Sequence, residues 1–275
     1  MMTKITKKKL RGPIKIHGGK FYLSPWIISN FPKNYVELDY CEPFCGAASV
    51  LLNKEKSPKE TICDKDKGII ALFKALRDEP NEFIGRLRRT KYKESTFKSN
   101  LKKAESPFED YVDYAVNEFI LRRMSRGGLK KAFGWSDRKR GGQPGDVNAW
   151  ETIIELLPSI SSRISDVNII SESFESVVSN WDEENTLTYL DPPYLHSTRN
   201  ETSTDAYEHE LTVEQHIQLL NMIKNARGKI VISGYQSRLY KETLVGWKCK
   251  KKEIANHSSQ SKTKERKIEC IWMNY

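Results

Sequence analysis

Two consecutive prolines directly after an apolar run, Leu187-Thr188-Tyr189-Leu190-Asp191-Pro192-Pro193-Tyr194, constrain the fold more than any other feature of this chain. Neither proline carries a backbone N–H, and each restricts the residue before it to extended or polyproline geometry. The run therefore reads as a strand that has to stop at Leu190. Other short runs stop as abruptly. Tyr40 to Phe44 leads into Gly46-Ala47-Ala48-Ser49 and then the apolar stretch Val50-Leu51-Leu52, which reads as strand, tight turn and helix. Thr61-Ile62-Cys63 stops at Asp64, and Ile69, Ile70, Leu72, Phe73 and Leu76 follow at helical spacing. Thr212-Val213-Glu214-Gln215 has the form of a capping box and opens a helix with Ile217, Leu220 and Ile223 on one face. Gly228 ends that helix, and Lys229 to Ser233 is the next strand. Strands alternating with helices predict an α/β fold with a doubly wound, mainly parallel sheet.

Composition narrows the partners. Among 275 residues, six Trp and 12 Tyr need a packed core, which excludes fibrous and wholly disordered chains. The net charge of +10 points to an anionic partner, nucleic acid before an anionic membrane surface. No run approaches about 18 consecutive apolar residues, and the basic stretch Met1 to Arg11 has no apolar h-region behind it, so a cytoplasmic protein with no membrane partner is expected. Five cysteines, odd in number and without a C-x-x-C pair or His at zinc-ligand spacing, read as reduced thiols with no metal.

The charge is concentrated. Arg77 to Arg140 carries 17 Lys or Arg against 10 Asp or Glu, a net of +7. That stretch is a candidate surface for a phosphate backbone; solvated Lys-rich helix faces are the other reading. Its strongest helix is Tyr111 to Met124, with Tyr111, Ala115, Phe119 and Arg122 on successive turns. Beyond it lie Arg126-Gly127-Gly128-Leu129-Lys130-Lys131 and Arg138-Lys139-Arg140-Gly141-Gly142, where glycines allow close backbone approach and cations suit phosphates. A plain surface loop has the same composition.

In open α/β sheets ligands sit at the carboxyl ends of strands. Glu42-Pro43-Phe44-Cys45-Gly46 supplies a glycine turn, and Asp64, 18 residues after Gly46, is placed like a carboxylate that binds ribose hydroxyls. The G-x-G-x-x-G fingerprint is missing, so a nucleoside pocket fits better than a dinucleotide one, with a purely structural turn as the alternative. Asp191-Pro192-Pro193-Tyr194 is more specific. The Asp191 carboxylate and Pro192 carbonyl are two acceptors for the two hydrogens of an amino group, and Tyr194 is a ring for a base to stack on. An exocyclic base amine is a poor nucleophile because its lone pair is delocalised; drawing both hydrogens toward acceptors favours a pyramidal nitrogen with a localised lone pair.

These motifs, with Gly18-Gly19-Lys20, Arg123 to Leu129, Ser233-Gly234-Tyr235 and Trp272 to Tyr275, resemble the Dam-type N6-adenine DNA methyltransferases. The matching motif order places cofactor motifs first, target recognition in the middle and the catalytic motif after it. The resemblance implies a class I, Rossmann-like S-adenosylmethionine methyltransferase fold with an inserted, mostly helical DNA-recognition domain: 1–76 and 151–275 catalytic, 77–150 target recognition. It implies S-adenosylmethionine as cofactor, held by Ile16, Gly19, Lys20, Phe44, Gly46, Asp64, Ser173, Phe174 and Asp191, and a flipped adenine held by Asp191, Pro192, Pro193 and Tyr194. The partner implied is double-stranded DNA, contacted through Arg122, Arg123, Arg126, Lys130, Lys131, Arg138 and Arg140. The chain departs from the family at Ile16, where Trp is frequent, at Ala48, where a second glycine is frequent and the change adds a methyl group, and at Ser173, where an acid is common. Rival readings are methylation of another planar amine, such as cytosine N4 or RNA adenine, and a DNA-binding module with a decayed active site. Asp191 at the first motif position favours adenine, and intact Asp64, Asp191 and Tyr194 argue against decay.

Overall fold

A computed structural model describes residues 9–136, 138–140, 142–198, 210–255 and 266–275; the side chains of Arg140, Ala255 and Arg266 lie outside what it describes, as do Lys4, Lys7, Lys8 and Gly141. In chain order the elements are α1 (Ser24–Ile28), β1 (Asp39–Glu42), β2 (Glu60–Cys63), α2 (Lys67–Asp78), α3 (Pro80–Arg89), α4 (Glu94–Lys103), α5 (Tyr111–Met124), β3 (Lys139–Arg140), β4 (Gln143–Pro144), α6 (Gly145–Arg163), β5 (Asn168–Ile170), α7 (Phe174–Asn180), β6 (Thr186–Leu190), α8 (Val213–Lys224), β7 (Lys229–Tyr235), α9 (Arg238–Thr243), β8 (Lys248–Ala255) and β9 (Arg266–Met273). They divide into two compact units. A sheet unit takes in Ser29–Cys45, Glu55–Asp66 and Val167–Tyr275; a helical unit takes in the residues up to Ile28 together with Gly46–Lys54 and Lys67–Asp166. The 77–150 span lies wholly inside the helical unit.

The sheet unit is a seven-stranded sheet in the order β5-β2-β1-β6-β7-β9-β8. From β5 to β7 neighbouring strands are parallel, and β9 runs antiparallel to both β7 and β8. The chain builds outward from β1 through β2 to β5, then returns to β6 on the other side of β1, so the order reverses between β1 and β6. All five residues of β6 are buried, as a central parallel strand requires. Strand β8 is the Lys-rich edge, with residues 248–253 exposed. A core of Phe174, Val178, Leu190, Leu219, Leu220, Ile223, Ile230, Ile232, Tyr240 and Trp272 ties α7, α8 and α9 to β6, β7 and β9. Each fully buried large apolar side chain stabilises the unit by roughly 1.5–3 kcal/mol.

Local expectations and structure differ at several points; of the expected face of α8, Leu220 and Ile223 are buried while Ile217 is exposed. Strand β1 ends at Glu42, not Phe44, because Pro43 has no N–H to continue a ladder. The capping box forms, Thr212 Oγ1 accepting from Gln215 N and Gln215 Oε1 from Thr212 N, but α8 ends at Lys224. Gly228 instead marks a close approach, where a Cβ would stand 2.9 Å from Glu183 O. Val50, Leu51 and Leu52 are buried in consecutive turns, not a regular helix. Just before them Gly46 and Ala48 both adopt left-handed backbone, with φ of 48° and 50°.

In the helical unit, α2 and α5 carry its centre. Asp110 caps α5, its carboxylate accepting from Val112 N and Asp113 N at 3.2 and 3.1 Å. Phe119 packs edge-on against Phe83 and Trp150, at 5.9 and 5.4 Å between ring centroids. Gly68 admits the Glu118 side chain: a Cβ there would stand 2.5 Å from Glu118 Cγ and Cδ. Of the expected face of α5, Ala115, Phe119 and Arg122 are buried while Tyr111 is exposed.

All five cysteines are free thiols. Burial pushes the thiols of Cys41 and Cys45 well above their ordinary range, Cys63 up to about 11 and Cys270 up to about 12, so none of the four is a ready nucleophile. Among the described residues no helix is long and apolar enough to cross a membrane, and no cluster of His, Cys, Asp and Glu is placed to hold a metal ion.

Candidate active site

Within the sheet unit, the reversal between β1 and β6 leaves two strand ends side by side: Pro43-Phe44 after β1 and Asp191-Pro192-Pro193-Tyr194 after β6. Carboxyl ends at such a reversal form the ligand crevice of a doubly wound sheet. Asp191 is half-buried there, and a serine of the neighbouring strand fixes it. The register that pairs Leu190 with Ile232 brings Ser233 alongside Asp191, and the Ser233 hydroxyl donates to Asp191 Oδ1 at 2.6 Å. Behind Ser233, the Tyr189 hydroxyl lies 3.1 Å from its Oγ, so a chain of hydroxyls inside the sheet ends on the carboxylate.

Pro192 is buried and Pro193 half-buried. Tyr194 is only 7% exposed, and its hydroxyl faces inward, donating to Glu269 Oε1 of β9 and lying 3.3 Å from Asp191 Oδ1. Its ring meets Tyr235 edge-on at 4.8 Å. The ring is therefore clamped at its hydroxyl end, not a free-standing platform. Burial, then the Glu269 and Asp191 carboxylates, hold its phenol well above the ordinary tyrosine range, so it stays protonated.

At the neighbouring strand ends of the same unit stand other expected residues. Asp64, half-buried after β2, turns the chain with Oδ1, which accepts from Asp66 N at 3.0 Å. Phe44 and Phe174 lie 5.7 Å apart at a tilt of 31°. Ser173 is exposed and caps α7, accepting from Ser176 N at 3.4 Å. An aromatic pair and a carboxylate at adjacent strand ends suit the adenine ring and ribose hydroxyls of a nucleoside. The structure thus brings Phe44, Asp64, Phe174 and Asp191 onto one edge of one sheet.

In the helical unit, Ile16 stands over Gly46: a Cβ on that glycine would lie 3.1 Å from Ile16 Cδ1. Gly19 is exposed; Lys20 is buried, and its Nζ donates to Gly18 O at 2.9 Å. At Ala48 the departure from glycine adds more than a methyl group, because the residue holds a left-handed backbone.

The cations of the helical unit sort by burial. Arg122, 5% exposed, donates from Nε to Glu118 Oε2 at 3.0 Å, and Lys130 Nζ reaches Glu118 Oε1 at 3.2 Å. Arg123 donates to Ala149 O at 3.1 Å, and burial lowers its guanidinium to about 10. Arg126, Lys131 and Arg138 are exposed. Arg140 lies in β3, its side chain outside the described residues.

Sequence reasoning missed Glu269 and gave Ser233 no role of its own. The available signal was chemical: Glu269 is an acid inside the otherwise apolar run Ile268 to Met273, and a buried strand tolerates one only with a partner.

The family model for D12 class N6 adenine-specific DNA methyltransferases matches residues 17–260. The chain belongs to that family. The mixed seven-stranded sheet is the class I, Rossmann-like methyltransferase architecture. As a D12 class enzyme this methyltransferase acts on adenine in DNA. Among solved structures it is similar to the rRNA methyltransferase aviRa from Streptomyces viridochromogenes, at 10% identity over 94% of this chain and 88% of that one, with a TM-score of 0.38. A comparison with curated proteins returns no match.

Proposed function

We propose that this methyltransferase moves the methyl group of S-adenosylmethionine to N6 of an adenine extruded from duplex DNA. The observation that carries the reading is Asp191, fixed by Ser233 at a strand end where two prolines offer acceptors and no donors. S-adenosylmethionine, when bound, supplies a methyl already activated by positive charge and a neutral leaving thioether. The chain has only to orient the amine and exclude water, so no nucleophilic cysteine is required.

Asp191 and the Pro192 carbonyl take the two amino hydrogens, and the ring of Tyr194 flanks the base. Extruding the adenine costs a few kcal/mol, which the contacts of the closed site have to offset. Asp64 takes the ribose hydroxyls, and Phe44 and Phe174 flank the cofactor adenine, with Ser173 beside them. Ile16, Gly19, Lys20 and Gly46 are assigned to the cofactor by family likeness, and Lys20→Ala is the substitution that tests them, through cofactor affinity. Residues 77–150 serve target recognition. Within that stretch exposure favours Arg126, Lys131 and Arg138 for the phosphate backbone, while the partners of Arg122, Arg123 and Lys130 inside the helical unit give those three a structural share.

The test is transfer of labelled methyl from S-adenosylmethionine to a DNA duplex, with the product base identified by chromatography. N6-methyladenine in duplex DNA is the expected product. Label in cytosine or in RNA alone would overturn the assignment.

A further inference from the structure

Glu269 lies on β9, separated from β6 by β7, and is only 2% exposed. A glutamate at that depth has to be hydrogen-bonded, and its Oε1 accepts from the Tyr194 hydroxyl. The same hydroxyl lies 3.3 Å from Asp191 Oδ1, which already receives the Ser233 hydroxyl at 2.6 Å. A phenol has a single hydrogen, and 3.3 Å is beyond the ordinary O–H···O range. The hydrogen therefore goes to Glu269, and Ser233 remains the donor to Asp191. At the other end of this arrangement Lys267 Nζ stands 4.9 Å from the centroid of the Tyr235 ring, whose neighbour is Tyr194.

We propose that Glu269 is a positioning residue for methyl transfer. By accepting the phenol hydrogen it fixes the Tyr194 ring and keeps that hydroxyl from adding a competing hydrogen bond to the Asp191 carboxylate that is to hold the adenine amino group. This rests on the reading of Asp191 and Tyr194 as the adenine grip.

A double-mutant cycle tests it, using single-turnover methyl transfer at saturating duplex DNA, with cofactor affinity and Tm measured alongside. Glu269→Gln keeps an oxygen that accepts the phenol hydrogen and should stay within about three-fold of wild type. Glu269→Met keeps the volume without an acceptor and should slow transfer roughly ten-fold or more at unchanged KM for DNA. In a Tyr194→Phe background, where no phenol hydrogen exists, Glu269→Met should slow transfer no further. Equal slowing by the Gln and Met variants, or additive effects in the cycle, would overturn the role. If Glu269→Met does not fold, comparing Glu269→Gln in the wild-type and Tyr194→Phe backgrounds decides by the same criterion: a Glu269→Gln variant as slow as Tyr194→Phe overturns the proposal. Full activity of Asp191→Ala would instead sink the adenine grip itself, so the two failures are distinguishable.

Discussion

Glu118 in the helical unit and Glu269 in the sheet unit are both buried, but against different company, and the contrast separates structure from chemistry. In the helical unit Glu118 is met by two cations, Arg122 and Lys130, at 3.0 and 3.2 Å. In the sheet unit Glu269 is met by a phenol that stands 3.3 Å from Asp191. Cations that close on Glu118 neutralise a buried charge and lock α5 to the loop beyond it. A phenol does not neutralise; with its hydrogen given to Glu269 it leaves Asp191 to the Ser233 hydroxyl. Glu118 is thus met by charge, and Glu269 by a hydroxyl that borders the proposed adenine grip.

The largest expected effect lies at the functional end. Asp191→Ala should lower single-turnover transfer about 1,000-fold, roughly 4 kcal/mol of transition-state stabilisation, with a thermal midpoint like wild type. A variant retaining near-normal turnover would erase the contrast by showing that the network leads nowhere. Next comes the structural end. Glu118→Ala leaves Arg122 buried without that counter-charge and should cost about 3–5 kcal/mol of stability in urea unfolding, while the protein that remains folded keeps its rate. An unchanged midpoint would mean that the cations, not the glutamate, hold that loop.

The exposed cations belong to neither network. Replacing Arg126, Lys131 and Arg138 by alanine should flatten the dependence of log K on log salt for duplex DNA by roughly one unit for each phosphate no longer neutralised, with turnover at saturating DNA preserved. An unaltered slope would move the DNA surface elsewhere, the Lys-rich strand β8 being the next candidate. Smallest is Ala48→Gly. A left-handed alanine is strained, so glycine there should raise stability by about 0.5–1 kcal/mol, seen as a rise of about 2–4 °C in Tm. A lower Tm would show that the buried methyl packs well enough to outweigh the backbone cost.

Much of this was legible from local signals. The bounds of α5 follow from Asp110 as a cap and an apolar face, and the capping box at Thr212 forms as written. Strands β2, β6 and β7 announce themselves by apolar runs with sharp ends. Strand β8 does not, because a Lys-rich edge strand lacks the apolar alternation that marks a half-buried one. In the site, Asp191 was readable because its chemistry is contiguous with two prolines. The pairing of Tyr194 with Glu269 was not, since it joins residues 75 positions apart and depends on β9 inserting antiparallel next to β7. The inward turn of Tyr194 follows from that same strand pairing, so an aromatic ring at this strand end was expected but its clamp was not.

The lysines of β8 have a consequence for behaviour in crowded solution. Another chain can approach a sheet along a strand at its margin, and among the described residues this margin carries Lys248, Lys250, Lys251 and Lys252. Two molecules meeting edge to edge would set ammonium rows against each other, so intermolecular ribbon growth is discouraged by repulsion alone, with no covering helix needed.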